Sequence, residues 1–111
     1  MILTEKYKLF ISDSKIDNYL LSHEHPVGRH KAKVLKRYGF DLSIKNLFIR
    51  KIRQLVNEHK VNHVEKNEFG IKFIVDGIII SKKKVKLSLR TVWMVLKNTE
   101  IATLITIYPL N

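Results

Sequence analysis

Apolar residues return every third or fourth position at Ile44, Leu47, Phe48, Ile52, Leu55 and Val56, and Lys45, Arg50, Lys51 and Arg53 fall between them. That spacing lays one apolar stripe along a helix and turns the cations outward. Asp41 or Ser43 can cap this helix, which is expected to run to about His59. A shorter stripe of Ile16, Tyr19 and Leu20 follows the capping residues Ser12-Asp13-Ser14 and predicts a helix from Lys15 to Ser22. Pro26 drives His25 out of the helical region, so His23 to Gly28 reads as a loop. Another helix is expected from about Arg29 to Tyr38, with Gly39 as its C′ residue and Phe40 as the hydrophobic contact behind it.

Beyond Val61 the period falls to two. Strands are predicted at about 62–68, 70–80, 84–96 and 101–108, and residues 5–11 read as an edge strand or an extended lead-in. Asp76-Gly77 is expected to form a bulge within 70–80. Ser81-Lys82-Lys83-Lys84 and Lys97-Asn98-Thr99-Glu100 are expected turns. On the third of the four strands, Val85, Leu87, Leu89, Thr91, Trp93 and Val95 share a core face, while Lys86, Ser88, Arg90, Val92 and Met94 share a partly polar one. On the last, Ile101, Thr103, Ile105 and Ile107 alternate with Ala102, Leu104, Thr106 and Tyr108. Both of its faces are largely apolar, which marks an interior strand that Pro109 ends. The connections are too short for parallel crossovers. The expected fold is therefore α+β, with N-terminal helices packed on a four-stranded antiparallel β-meander, as a single domain over residues 1–111.

Charge then narrows the partners. Lys and Arg number 21 against 10 Asp and Glu, a formal net charge of +11. Such an excess is offset by a polyanion, either nucleic acid or an anionic membrane. No apolar run reaches the ~18–20 residues of a membrane span, and Met1 to Phe10 lacks the apolar centre of a signal peptide. The cations are spread over several segments rather than gathered on one amphipathic helix, which favours nucleic acid over membrane. The chain has no cysteine. That removes disulfides, thiolate metal sites and cysteine nucleophiles, and it suits a cytoplasmic location.

Two groups of residues carry candidate chemistry. His23, His25, Arg29, His30 and Lys31 crowd a loop that opens a helix, where backbone N–H groups and cations attract phosphate and a histidine can move protons near neutral pH. Its ordinary reading is a charged, solvated loop. His23, His25 and His30 would leave zinc short of ligands, with only Glu24 nearby, so neither a metal nor another cofactor is expected. The second group is Arg90 with Thr106 and Tyr108 on neighbouring strands, donors suited to a phosphate and the charge that develops on it. Its ordinary reading is strand-forming residues, with Trp93 nearby in the core. Lys82, Lys83, Lys84 and Lys86 read as a solvated turn or as non-specific phosphate contacts. The chain has no phosphate-binding or dinucleotide glycine motif, no Gly-x-Ser-x-Gly and no paired carboxylates of a two-metal nuclease. Cleavage of nucleic acid without metal uses the neighbouring 2′-hydroxyl as nucleophile, so its substrate would be RNA.

Tyr19 to Ala32, with His25-Pro26-Val27-Gly28-Arg29-His30-Lys31-Ala32 at its centre, resembles the opening motif of a small bacterial family known only as a domain of unknown function. Gly39-Phe40, Thr91-Val92-Trp93 and Thr106-Ile107-Tyr108-Pro109 continue the resemblance along the chain. More distantly, the layout is similar to the metal-independent ribonuclease toxins of the barnase–EndoU–colicin–RelE type, an analogy of fold. His25 and Lys31 match the family's first motif, and Thr106 and Tyr108 its last; Arg90, His23, Arg29 and His30 enter on charge and position alone. The expected function is a metal-independent endoribonuclease of bacterial toxin type. His25 or His30 would serve as acid and base, Lys31, Arg29 and Arg90 would hold the phosphate, and Thr106 and Tyr108 would orient it. The alternative is a non-catalytic RNA- or DNA-binding module. RNA is the expected partner under the first reading, and an acidic antitoxin or immunity protein fits either a toxin or a third reading as an interaction partner.

Overall fold

The structure is a computed structural model that describes residues 1–16, 45–80 and 84–110. A 3-10 turn, Leu3–Glu5, leads into strand β1, Lys8–Phe10, and a helical turn α1, Asp13–Lys15. The remaining described elements are helix α2 (Lys45–Glu58) and strands β2 (His63–Lys66), β3 (Gly70–Ile80), β4 (Lys86–Leu96) and β5 (Ile101–Pro109). The rest of the predicted helix from Lys15 to Ser22, and all of the predicted helix from Arg29 to Tyr38, lie outside the described residues.

Helix α2 forms where the apolar stripe predicts it. Phe48, Ile52, Leu55 and Val56 are buried against the sheet, mainly against β3, while Arg50 and Arg53 remain exposed. Its C-terminal end is tied off by His59, whose Nδ1–H donates to the Leu55 carbonyl at 2.8 Å and satisfies one of the last helical acceptors.

The sheet has five strands in the order β1-β5-β4-β3-β2, not the four-stranded meander expected. Neighbours from β2 to β5 are antiparallel, and β1 runs parallel to β5 with Lys8 beside Ile101. Short connections exclude parallel pairing only between consecutive strands; β1 and β5 are separated by most of the chain, which leaves ample length for a crossover. With β1 on one side and β4 on the other, β5 is an interior strand, in keeping with its two apolar faces.

The expected bulge at Asp76-Gly77 is absent, because β3 pairs with β4 without interruption from Gly70↔Leu96 to Ile80↔Lys86. Gly77 answers a packing demand instead. A Cβ there would sit 2.7 Å from Leu55 Cγ and 3.0 Å from His59 Nδ1, so the missing side chain lets α2 settle onto the sheet. Gly77→Ala is therefore expected to cost about 1–3 kcal/mol through overpacking. A urea titration checks this, and an unchanged midpoint would mean that the helix moves aside without strain. Gly70 answers a tighter demand. Its N–H, with that of Phe69, is held by Asn67 Oδ1 in the β2–β3 turn, and a Cβ would lie 2.1 Å from the Val95 carbonyl oxygen.

The core lies between α2 and one face of the sheet. Leu87, Leu89, Thr91, Trp93 and Val95 of β4 all point into it, in keeping with the predicted alternation, together with Phe73, Val75 and Ile79 of β3. Leu3 and Ile16 close it from the N-terminal segment. Trp93 is fully buried, and its indole N–H donates to Thr91 Oγ1 at 2.8 Å. The Thr91 hydroxyl in turn donates to the Val75 carbonyl at 2.7 Å, so both of these buried polar groups are paired.

Candidate functional site

The bulge that the sheet does contain lies in β5. Val92 pairs with Thr106, while Trp93 pairs with Leu104, so Ile105 is an extra residue with no partner on β4. A one-residue insertion exchanges the two faces of a strand beyond it. Ala102 and Leu104 point into the core before the bulge, and Ile107 does so after it. The uniform alternation expected for this strand therefore breaks at Ile105. Thr106 and Tyr108 come to the face opposite α2, which is also the face of Arg90 and Val92 on β4.

The second sequence-predicted group is thereby assembled. Tyr108 stands directly opposite Arg90 across the β4–β5 ladder, and Thr106 opposite Val92 one row away. Tyr108 is 44% exposed, whereas Thr106 is only 8% exposed and forms part of the floor. Lys86 and Ser88 continue the Arg90 face of β4 toward the same end of the sheet, and Lys86 is exposed. Lys84 precedes β4, exposed and with a left-handed backbone, φ 59°. Lys82 and Lys83 lie outside the described residues, as do His23, His25, Arg29, His30 and Lys31.

On the other side of Arg90 stands a residue that sequence reasoning missed. Asp76 of β3 is its cross-strand partner, and the two form a forked pair: Nε to Oδ1 at 3.0 Å and Nη2 to Oδ2 at 3.0 Å. The hydrogen bonds that Arg90 donates to Asp76, and then the charge of Asp76, hold the guanidinium above its ordinary pKa. A predicted turn confined to 81–84 would have set Ile80 opposite Val85 and Asp76 opposite Leu89. The connection is one residue longer, and only that register brings Asp76 to Arg90. The fork engages two of the five guanidinium N–H groups, which leaves donors directed away from Asp76. Asp76 thus fixes the plane of Arg90 and lowers the net charge of the site. The row Asp76, Arg90, Tyr108 places an oriented cation beside a phenol on the sheet face opposite α2, suited to bind an anion.

Elsewhere on the same face, Glu65 joins Lys72 at 2.8 Å and His63 at 3.2 Å. The hydrogen bond and charge of Lys72 lead in lowering its pKa. Among the described residues no three His, Asp or Glu side chains cluster as metal ligands would, and no helix is long and apolar enough to cross a membrane.

Comparison with known proteins places the chain. No curated protein matches it in sequence. One solved structure with a similar fold is described as a contact-dependent growth inhibition toxin–immunity protein complex from Klebsiella pneumoniae 342. It has TM-score 0.70 and 17% identity, over 89% of this chain and 97% of that one. At that identity the likeness is one of fold. The family model described as a domain of unknown function, DUF6883, matches residues 2–111, nearly the whole sequence, and the chain belongs to that family.

Proposed function

We propose that the chain is a toxin-type, metal-independent endoribonuclease whose reaction centre is built on the sheet face opposite α2, around Arg90, Thr106 and Tyr108. The observation that carries this reading is the β5 bulge, which turns Thr106 and Tyr108 onto the face of a pre-oriented Arg90. The net charge of +11 and the fold shared with a chain of a toxin–immunity complex support it. In the proposed reaction a base, His25 or His30, takes the proton of the 2′-hydroxyl. The 2′-oxygen bonds to phosphorus, the bond to the 5′-oxygen breaks, and a second group returns a proton to that leaving oxygen. The products are a 2′,3′-cyclic phosphate and a 5′-hydroxyl end. Arg90 meets the charge on the non-bridging oxygens, Tyr108 donates to one of them, and Lys31 and Arg29 add positive potential. An acidic immunity-type protein is the partner such a toxin calls for.

Incubation with mixed RNA in EDTA tests the reading. Cleavage to cyclic phosphate ends is expected, together with a growth defect on expression. Intact RNA across several pH values, with normal growth, would remove it. The Asp76–Arg90 pair favours a second reading, a non-catalytic RNA- or DNA-binding module, because it satisfies part of the cation in the absence of substrate. His25→Ala separates the two: it abolishes cleavage under the first and leaves affinity nearly unchanged under the second.

Both readings share one expectation. Each phosphate contact on a single strand releases counterions worth a slope of roughly −0.7 in log affinity against log salt, and about four to six contacts imply −3 to −4. Between 50 and 200 mM salt, affinity should then fall about 60- to 250-fold. Charge reversal within 82–86 should flatten that slope and weaken all sequences alike. A salt-insensitive isotherm would mean that the net charge serves another partner.

A further inference from the structure

On the opposite side of the molecule from Arg90, a groove of about 570 Å³ runs between α2 and the N-terminal segment. Its walls carry Tyr7 and Lys8 on one side and Arg53, Gln54 and Asn57 on the other. Arg53, Gln54 and Asn57 follow the three- and four-residue spacing of one helix face, so one arginine and two amides border the groove together, with Arg50 on the same face one turn before. Asn57 is held in place by Thr4, whose hydroxyl donates to Asn57 Oδ1 at 2.7 Å. The Tyr7 ring is half-buried and tilted at 48° on Phe73, 5.4 Å between centroids, which fixes its plane.

Some cations of the molecule are matched by an acid and others are not. Arg90 is matched by Asp76, Lys72 by Glu65 and Lys45 by Asp13. Lys8, Arg50 and Arg53 are exposed and have no ion-pair partner among the described residues. Gln54 donates one N–H to Glu58 at 3.0 Å and Asn57 accepts from Thr4, so each amide keeps further hydrogen-bonding capacity. Cations around a rigid aromatic ring and such amides are what a single-stranded nucleic acid uses: charge for the phosphates, a ring for a base face, amides for a base edge.

We propose that this groove is a subsite for one nucleotide of single-stranded RNA, with Tyr7 against the base, Gln54 and Asn57 at its edge, and Lys8 and Arg53 on the flanking phosphates. It rests on the nucleic-acid reading above and extends it. Lys8 pairs beside Ile101 at the start of β5, and Tyr108 lies seven residues further on, roughly 23 Å at about 3.3 Å per residue. The groove is therefore remote from the reaction centre, and it would hold a strand whose other part lies on the face of Arg90.

The test measures binding of the full chain to a labelled, mixed-sequence 2′-O-methyl oligoribonucleotide, which lacks the attacking hydroxyl and stays intact. The K8Q/R53Q double variant is expected to bind about tenfold more weakly and to flatten the salt slope by about 1.4, two contacts' worth. The charge-matched control K66Q/K97Q, altering exposed lysines elsewhere, should stay within about twofold. Y7L keeps an apolar contact for Phe73, so the fold should survive, and it should lose at least about fivefold in affinity. Thermal melts of each variant confirm folding. Equal loss in K8Q/R53Q and the control, or no loss in either, overturns the subsite while leaving cleavage of ordinary RNA to be judged by itself. Weakened binding in K8Q/R53Q, together with a wild-type chain that cleaves no ordinary RNA, upholds the subsite and removes the endoribonuclease. A wild-type chain that binds no single strand removes both.

Discussion

Trp93→Ala is expected to lower stability by about 3–5 kcal/mol, the range for truncating a large buried aromatic side chain. Against the 5–15 kcal/mol typical of a small domain, that is a large share. Two effects add. The indole is fully buried among Leu87, Leu89, Val95, Leu104 and other core residues, so its removal leaves a cavity that the sheet cannot fill. The Thr91 hydroxyl also loses the N–H it accepts. Thr91→Val isolates the polar part: it keeps the shape but leaves the indole N–H without an acceptor in the core, for about 1–3 kcal/mol. Urea unfolding of both variants gives the comparison. A Trp93→Ala loss below about 1 kcal/mol would mean that this part of the core is not closed.

Arg90→Ala is expected to slow RNA cleavage by about 10²- to 10³-fold, the cost of removing one pre-oriented donor to a developing oxyanion. The fold should survive, because the pair with Asp76 lies at the surface and such pairs add little stability. The two readouts therefore separate: a structural role moves the melting temperature, a catalytic one the rate. Arg90→Lys should restore little, since an ammonium cannot fork onto Asp76 and face a phosphate at once. Cleavage within about threefold of the wild type, by a folded Arg90→Ala variant, would remove Arg90 from the reaction. Asp76→Asn weakens the fork without deleting it and should fall between the two.

Several features were legible in the sequence because they depend on local periodicity. Helix α2, the four strands after Val61 and the 97–100 turn follow from spacing alone, since a core face must repeat with the period of its element. The burial of Trp93 followed from the face on which it lies. The chain does belong to a family of unknown function, as its resemblance implied.

Other features depended on contacts between distant segments. The parallel pairing of β1 with β5 joins residues about ninety positions apart, and nothing in the three residues of β1 names its partner. Gly77 looked like a bulge because glycine in a strand commonly marks one, and only the approach of Leu55 and His59 shows the steric reason for it. The actual bulge at Ile105 occurs in a run apolar on both faces, where a shift by one residue costs little hydrophobic burial and leaves no trace in the pattern. The candidate site turns on that shift and on the length of the β3–β4 connection. The residue types came from the chain itself. Their meeting on one face, with Asp76 among them, was decided by strand register, which the hydrophobic pattern constrains only where one face must stay in water.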